Sequence, residues 1–169
     1  NDLEKINHSP DFIILRHSGF TTIRRGILSN YLRYREINPR SRLKSTGSVA
    51  TIAPESLKTV LNSISERYGN PPVIVFPTCT LDIQSENGIN DHVRTYFYRQ
   101  YLAETHSAIT RGINIIGFLA GPFIDGFEFD NKGQFRSGIV HVDFSTRERQ
   151  IKSSAQWYSG VCTHNGFKP

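Results

Sequence analysis

The apolar residues of this chain fall into short continuous runs separated by stretches of helical spacing. Such runs begin at Asp11 (DFIIL), Val73 (VIVF) and Ile113 (INIIGFLAG). Between the last two, apolar positions recur every three to four residues, as in an amphipathic helix. Strands that alternate with helices are typical of a parallel sheet. The pattern predicts an α/β fold and one domain over residues 1–169.

Local signals give the boundaries of the predicted helices. Pro54 is tolerated at a first helical position, and Gly69 is a typical C-terminal residue. Asp91 is the predicted N-cap of a second helix that ends near Arg111. A third helix is predicted around 153–158. The buried faces of the first two are predicted to contain Leu57, Val60, Leu61, Ile64, Val93, Phe97, Tyr101 and Ala108.

The strand predictions follow from continuous or alternating apolar residues. Val73 to Phe76 should be buried on both faces, as in a parallel sheet, and Pro77 should end this strand. Residues 113–121 form the next predicted strand, and 138–144 (GIVHVDF) alternate like a further one. His17 and the two residues after it are predicted to be loop.

The positive charge of the chain, formally +5, is concentrated in segment 20–53, which we predict to be a basic loop. Its cations are Arg24, Arg25, Arg33, Arg35, Arg40, Arg42 and Lys44. Tyr31 and Tyr34 lie among them, a composition found in nucleic-acid-binding surfaces. A solvated basic loop has the same composition and is the simpler interpretation. Nucleic acid is therefore not an expected partner, and binding of an anionic polymer is kept as a second alternative function.

Several classes of protein are not supported by the sequence. No apolar run approaches the ~20 residues of a membrane span. Nucleotide-binding glycine motifs and metal-ligand spacings of histidine or cysteine are absent, so we expect no cofactor and no metal. Cys79 and Cys162 could form a disulfide or remain thiols. The chain has no methionine, so we interpret it as a processed product, a fragment or an incomplete chain, with localisation left open.

The run at 113–121 leads into a turn with two acids, Asp125 and Glu128. Its aromatic residues are Phe123, Phe127 and Phe129. Acids and rings at the carboxyl end of a buried strand are typical of sugar pockets, although an ordinary hydrophobic turn has the same pattern.

Five segments, in order, resemble the C-terminal part of the family 1 glycoside hydrolases, the retaining β-glucosidases, and most closely plant members. DFIILRHSGF resembles DFIGINHYT, and SISERYGNPPVIVFPT resembles the segment that leads into ITENG. NDHVRTYFYRQYL resembles the helix D-x-x-R-x-x-Y-x-x-x-Y-L. GFLAGPFIDGFEF resembles GYFAWSLLDNFEW, and GIVHVDF…R…KSSAQWY resembles GIVYVDF…R…K-x-S-A-x-W-F.

The resemblance implies a partial (β/α)8 barrel, with strands six to eight and their helices. The general acid/base motif NEP of the family is absent, and the nucleophile position falls on Pro77. Retaining hydrolysis needs two carboxylates about 5 Å apart, so no catalytic residue is expected at an aligned position. Glu86, in SENG, is the alternative nucleophile, nine residues beyond the strand end.

The same resemblance implies a substrate-binding set of Glu128, Phe129, Asp125 and His17. Other positions depart from the family. Arg16 and Ser18 replace the Asn and Tyr beside the nucleophile, and Gly121 replaces the Trp that stacks on sugar.

We therefore expect a truncated, catalytically inactive β-glucosidase relative that binds a protein or a β-glycoside. The alternative is an active glycosidase in which this chain is one piece and Glu86 acts. A chain without a biochemical role, from a decayed gene copy, also fits. Because three strands leave a barrel edge open, we expect another protein chain or self-association to cover it.

Overall fold

The computed structural model describes residues 2, 10–18, 22–25, 34–37, 53–78, 89–126 and 136–167. The strands are β1 (Ile13–His17), β2 (Thr22–Arg25), β3 (Tyr34–Ile37), β4 (Val73–Pro77), β5 (Ile115–Phe118), β6 (Val140–Val142) and β7 (Arg149–Ile151). The helices are α1 (Glu55–Tyr68), α2 (His92–Thr110) and α3 (Ser153–His164). None of the described helices is both long enough and apolar enough to cross a membrane.

A parallel sheet of three strands, in the order β1-β4-β5, is the centre of the fold. Helix α1 directly precedes β4 in the chain, and α2 connects β4 to β5. This arrangement confirms the predicted partial α/β fold. The core lies between the sheet and the helices, and its buried residues are Leu57, Leu61, Val73, Val75, Phe97, Tyr98, Tyr101, Ala108, Ile113 and Ile139.

The two faces of the sheet differ in burial. Val73 and Val75 of β4 are buried, whereas Ile74 and Phe76 between them are only half-buried. Ile14, the register partner of Ile74, is 52% exposed. The prediction that this strand is buried on both faces is therefore wrong for the described structure, because helices cover one side only. We call the other side the open face; by strand register it consists of Ile14, Arg16, Ile74, Phe76 and Gly117.

Helix α1 has the predicted boundaries. Pro54 occupies its N-cap position, and Gly69 ends it in the left-handed conformation with φ of 70°. Helix α2 ends before Gly112, whose φ is 88°. Both glycines adopt a backbone conformation that other residues rarely take, which explains why both stops could be predicted.

Helix α2 begins where predicted, but not for the predicted reason. Asp91 makes no side-chain cap to its own helix. Its Oδ1 instead accepts from the Ser154 backbone N–H at 2.8 Å, and its Oδ2 accepts from the Ser154 hydroxyl at 2.5 Å. Asp91 thus holds the first turn of α3 against the start of α2. The expected capping role of this residue is corrected accordingly.

Two further elements differ from prediction. The segment 20–53, predicted to be a loop, contains the antiparallel pair β2–β3, in which Arg24 lies opposite Arg35 in the register. Most of the remaining basic residues lie outside the described residues. The strand predicted over 138–144 is limited to β6, and it pairs with β7, which was not predicted. Helix α3 continues to His164, beyond its predicted end.

Candidate functional site

The carboxyl ends of the three parallel strands meet at one edge of the sheet. Thr78, after β4, donates its backbone N–H to the carbonyl of His17 at 2.9 Å. On its other side Thr78 forms a parallel bridge with Gly121, beyond β5. Loops and pockets at this edge are the usual place of function in parallel α/β proteins. We therefore treat this edge as the candidate site.

Pro77 occupies the predicted nucleophile position and is fully buried at the end of β4. It is the register partner of His17 on β1. Its ring has no ionisable group. In the described part of the chain, the ends of β1, β4 and β5, through Ser18, Thr78 and Gly121, contain no Asp or Glu. Glu86, the alternative nucleophile, lies outside the described residues.

His17 belongs to β1 rather than to the predicted loop, and it points toward the helices. Its Nδ1 lies 2.9 Å from the Tyr101 hydroxyl, and its Nε2 lies 3.1 Å from the Ser56 hydroxyl. The side chain is 5% exposed, and burial holds its pKa below the ordinary value of 6.5. Both ring nitrogens thus serve to join β1 to α1 and α2. The substrate-binding role of His17 stays a prediction, since these contacts show only a structural role.

On the open face at the same edge lie Arg16, Phe76 and Gly121. Arg16 and Phe76 are register partners on β1 and β4. A Cβ atom added to Gly121 would lie 3.1 Å from Cε2 of Phe76, so the ring covers the backbone of this glycine. A tryptophan at position 121 would therefore displace Phe76. The half-buried Phe76 ring supplies an aromatic surface that sequence analysis missed, since only the loss of the tryptophan was visible.

Asp125 is buried at the start of the turn, with its side chain 0% exposed. Its Oδ1 accepts hydrogen bonds from Lys152 Nζ at 2.8 Å and from the Gly138 N–H at 2.9 Å. Its Oδ2 accepts from the Val142 N–H at 3.3 Å, and His141 Nδ1 lies 3.2 Å away. We therefore interpret Asp125 as a structural anchor, and its predicted contact with substrate stays a prediction.

Lys152 completes this anchor from the start of α3. Its ammonium group also donates to the carbonyl of Arg136 at 3.0 Å. Burial lowers the pKa of Lys152, and the hydrogen bond to Asp125 acts in the opposite direction. Gly138 must lack a side chain here, because a Cβ atom would lie 2.2 Å from the backbone of Ile124 and of Asp125. The turn and the β6–β7 hairpin are thus in backbone contact.

A second buried ion pair lies beside the first. Arg94 Nε is 2.9 Å from Asp91 Oδ2, and both side chains are 0% exposed. The Arg94 guanidinium also donates to the carbonyls of Arg136 and Ser137. These two pairs fix the chain on both sides of the segment that contains Glu128 and Phe129. Those two predicted substrate-binding residues lie outside the described residues, so their roles remain predictions.

Two other features of the described residues do not contribute to this site. No group of three or more His, Cys, Asp or Glu side chains in these ranges could hold a metal ion. A cavity of about 310 Å³ lies between α2, β5 and α3, and Ile109, Ile115, Val161 and Phe167 contribute to its lining. It runs along β5, whereas the candidate site lies beyond the end of that strand.

Replacing Asp125 with Asn should destabilise the protein by about 3 kcal/mol, because the buried Lys152 ammonium then lacks a counter-charge. Urea unfolding monitored by circular dichroism measures this change. A second replacement, Lys152→Met, should recover part of the loss in the Asp125→Asn background, since it removes the uncompensated charge. If the double variant is less stable than Asp125→Asn alone, the ion-pair explanation is wrong.

The buried position of His17 predicts a dependence of stability on pH. Below about pH 6.5 the unfolded chain takes up a proton on His17, while the folded chain resists it. The free energy of unfolding should therefore fall as the pH falls from about 6.5 toward the folded pKa. His17→Gln should show a smaller decrease between pH 7.5 and pH 5. The exposed His106 serves as control: His106→Gln should retain the wild-type slope, and equal slopes in all three proteins would refute the explanation.

Comparisons with known proteins agree with the fold. A family model, "Glycosyl hydrolase family 1", matches residues 1–167. Beta-glucosidase A of Acetivibrio thermocellus is 35% identical over 119 residues, which are 69% of this chain and 27% of that protein. A cyanidin 3-O-glucoside 7-O-glucosyltransferase (acyl-glucose) of Delphinium grandiflorum is 33% identical over 164 residues, 94% of this chain and 32% of that protein.

Among solved structures, the family 1 β-glucosidase from Thermotoga maritima superposes with a TM-score of 0.86 at 26% identity. The match covers 99% of this chain and 38% of that one. This chain thus spans between about a quarter and two fifths of the length of these relatives. The relatives are bacterial as well as plant proteins, so the plant-type assignment stays a prediction. The chain belongs to glycosyl hydrolase family 1 and corresponds to part of that family's TIM barrel.

Proposed function

We propose that this chain is a catalytically inactive β-glucosidase relative that acts by binding a glycoside, within a barrel completed by further strands. The observation that supports this proposal is the absence of a carboxylate from the three described strand ends, with Pro77 buried at the nucleophile position. A retaining mechanism needs one carboxylate as nucleophile and a second as proton donor, about 5 Å apart. Pro77 can supply neither.

Asp125, the acid of the turn after β5, does not replace the missing nucleophile. Asp125 is 4% exposed and engaged by Lys152, so it reaches no ligand. To contact a substrate it would have to give up the ammonium and the backbone N–H groups that donate to its oxygens. Glu86, the alternative nucleophile, lies nine residues after Pro77 and would have to reach back to the end of the strand.

Features that can bind a sugar remain at the edge. The half-buried ring of Phe76 presents an aromatic surface on the open face, and aromatic rings pack well on the apolar faces of sugars. Arg16, beside it, supplies hydrogen-bond donors. The Phe76 ring can thus take the place of the lost tryptophan in binding, whereas no group at the described strand ends can replace the nucleophile in hydrolysis.

The free strand edges of the sheet support the proposal that further strands complete the barrel. Within the described residues, β1 and β5 each pair with β4 on one side only. Unpaired strand edges bind other strands or lead to aggregation. Ile14, Ile116 and Leu119 expose 52%, 56% and 44% of their surface, so apolar side chains accompany these edges. Another protein chain or a second copy of this chain would pair with the free strand edges and bury these apolar side chains.

The purified chain should not hydrolyse p-nitrophenyl β-D-glucopyranoside above the uncatalysed rate. One relative is named a glucosyltransferase, so the assay is run with and without an alcohol acceptor and both products are quantified. Turnover that disappears in Glu86→Gln would overturn the proposal and support the alternative of an active glycosidase. The matched control is Glu66→Gln, because Glu66 is exposed on α1.

In solution the purified chain should have a mass above that of the 19.2 kDa monomer, since only a second copy is then available to cover the sheet edges. Light scattering during size-exclusion chromatography measures this mass. Ile14→Lys should shift the population toward monomer, because it places a charge on the open face. Ile151→Lys, on the exposed strand β7, should leave the mass unchanged. A soluble monomer at all concentrations would contradict self-association.

A further inference from the structure

Arg16 occupies an unusual position for a charged side chain. It lies on β1 just before the strand ends, and it is exposed on the open face. The other strand residues of this face are Ile14, Ile74, Phe76 and Gly117. A guanidinium group thus stands at the candidate-site edge of a face that is otherwise apolar.

Arg16 also has no partner in the part of the chain that the structure describes: it takes part in no hydrogen bond or ion pair. The two buried cations among the described residues, in contrast, each have an anionic partner. Arg94 is paired with Asp91 and Lys152 with Asp125. A guanidinium group has five N–H donors in a planar fork, which fits the oxygens of a carboxylate or phosphate. Within the described ranges, no group occupies the donors of Arg16, which could bind a ligand.

The surroundings of Arg16 favour an anion over a neutral group. Its neighbours on β4 are Phe76 and the buried Pro77, neither of which carries charge. Covering the open face, as the proposed function requires, would remove water from around the guanidinium. A charge that loses water is costly unless an opposite charge compensates it. None of the three described strand ends supplies such a charge, and an anionic ligand would supply it.

We propose that Arg16 selects a saccharide ligand that carries an anionic group, a carboxylate or a phosphate, while Phe76 packs against the sugar ring. The inference rests on one part of the proposed function, the binding of a glycoside at this edge of the sheet. Arg16 determines specificity here: its guanidinium pairs with the anion, and the adjacent aromatic surface distinguishes a charged sugar from a free ion. Neutral glycosides lack the group that compensates the charge and bind more weakly.

Calorimetric titration of the purified protein with three aryl glycosides tests the proposal. The probes are p-nitrophenyl β-D-glucuronide, p-nitrophenyl β-D-glucopyranoside 6-phosphate and the neutral p-nitrophenyl β-D-glucopyranoside. At least one anionic probe should bind about tenfold more tightly than the neutral one at low salt. The two anionic probes distinguish a carboxylate from a phosphate. Because Arg16 is exposed in the free chain, the preference should decrease as salt rises.

Variants test whether the preference for the anionic probe comes from Arg16 or from the general positive charge of the protein. Arg16→Gln should abolish the preference, so that the anionic probe binds no more tightly than the neutral glucoside binds to the same variant. Arg16→Lys should retain part of the preference, since it keeps the charge and loses the fork. Arg67→Gln removes an exposed arginine from α1 and should change nothing.

The outcomes that overturn this inference can be told apart from those that overturn the proposed function. Equal affinity for anionic and neutral probes, or a preference that survives Arg16→Gln, refutes the role of Arg16 and leaves glycoside binding intact. Binding of inorganic phosphate as tightly as the sugar phosphate refutes saccharide recognition. If no probe binds, both glycoside binding and this inference are refuted. Hydrolysis of the neutral glucoside refutes the proposed function alone.

Discussion

The buried ion pair between Asp125 and Lys152 determines how the turn after β5, the β6–β7 hairpin and the start of α3 fit together. A buried pair of this kind adds little net stability compared with apolar residues of the same volume, because both charges lose their water. Its effect is on geometry. Asp125 accepts from two backbone N–H groups of the hairpin as well as from Lys152. This carboxylate therefore joins the three elements directly.

The neighbouring pair extends the same constraint to α2. Arg94 is bound to Asp91, and Asp91 accepts two hydrogen bonds from Ser154 at the start of α3. Both cations, Arg94 and Lys152, also donate to the carbonyl of Arg136. The start of α2, the start of α3 and the chain before β6 therefore share one polar network. On the helix side of β5, Tyr158 adds a separate link: its hydroxyl donates to the Phe118 carbonyl at 2.9 Å, and burial raises the pKa of Tyr158 to about 12.

Sequence analysis predicted the elements whose causes are local. Pro54, Gly69 and Gly112 act on the residues beside them, so the limits of α1 and the end of α2 could be predicted. The roles of Asp91 and Asp125 could not, because their partners lie 63 and 27 residues away. His17 is an intermediate case. The resemblance to the family suggested a sugar contact, but alternation with Ile13 and Leu15 places His17 on the helix side. The position of His17 in the strand, rather than the sequence motif, determines which way its side chain points.

The sheet has the same order in space as along the chain, β1-β4-β5. Within the described residues, no strand from elsewhere in the chain is inserted between these three. The block from β1 to α3 would therefore meet the remainder of a family barrel at the free edges of β1 and β5 and at the helix surfaces beside them. The hydrogen bonds that join its own described elements do not depend on a neighbour. Such a block is suited to exchange as a cassette. Grafted into a related barrel, it would need matched strand edges and helix surfaces at the two seams, while its interior could be transferred unchanged.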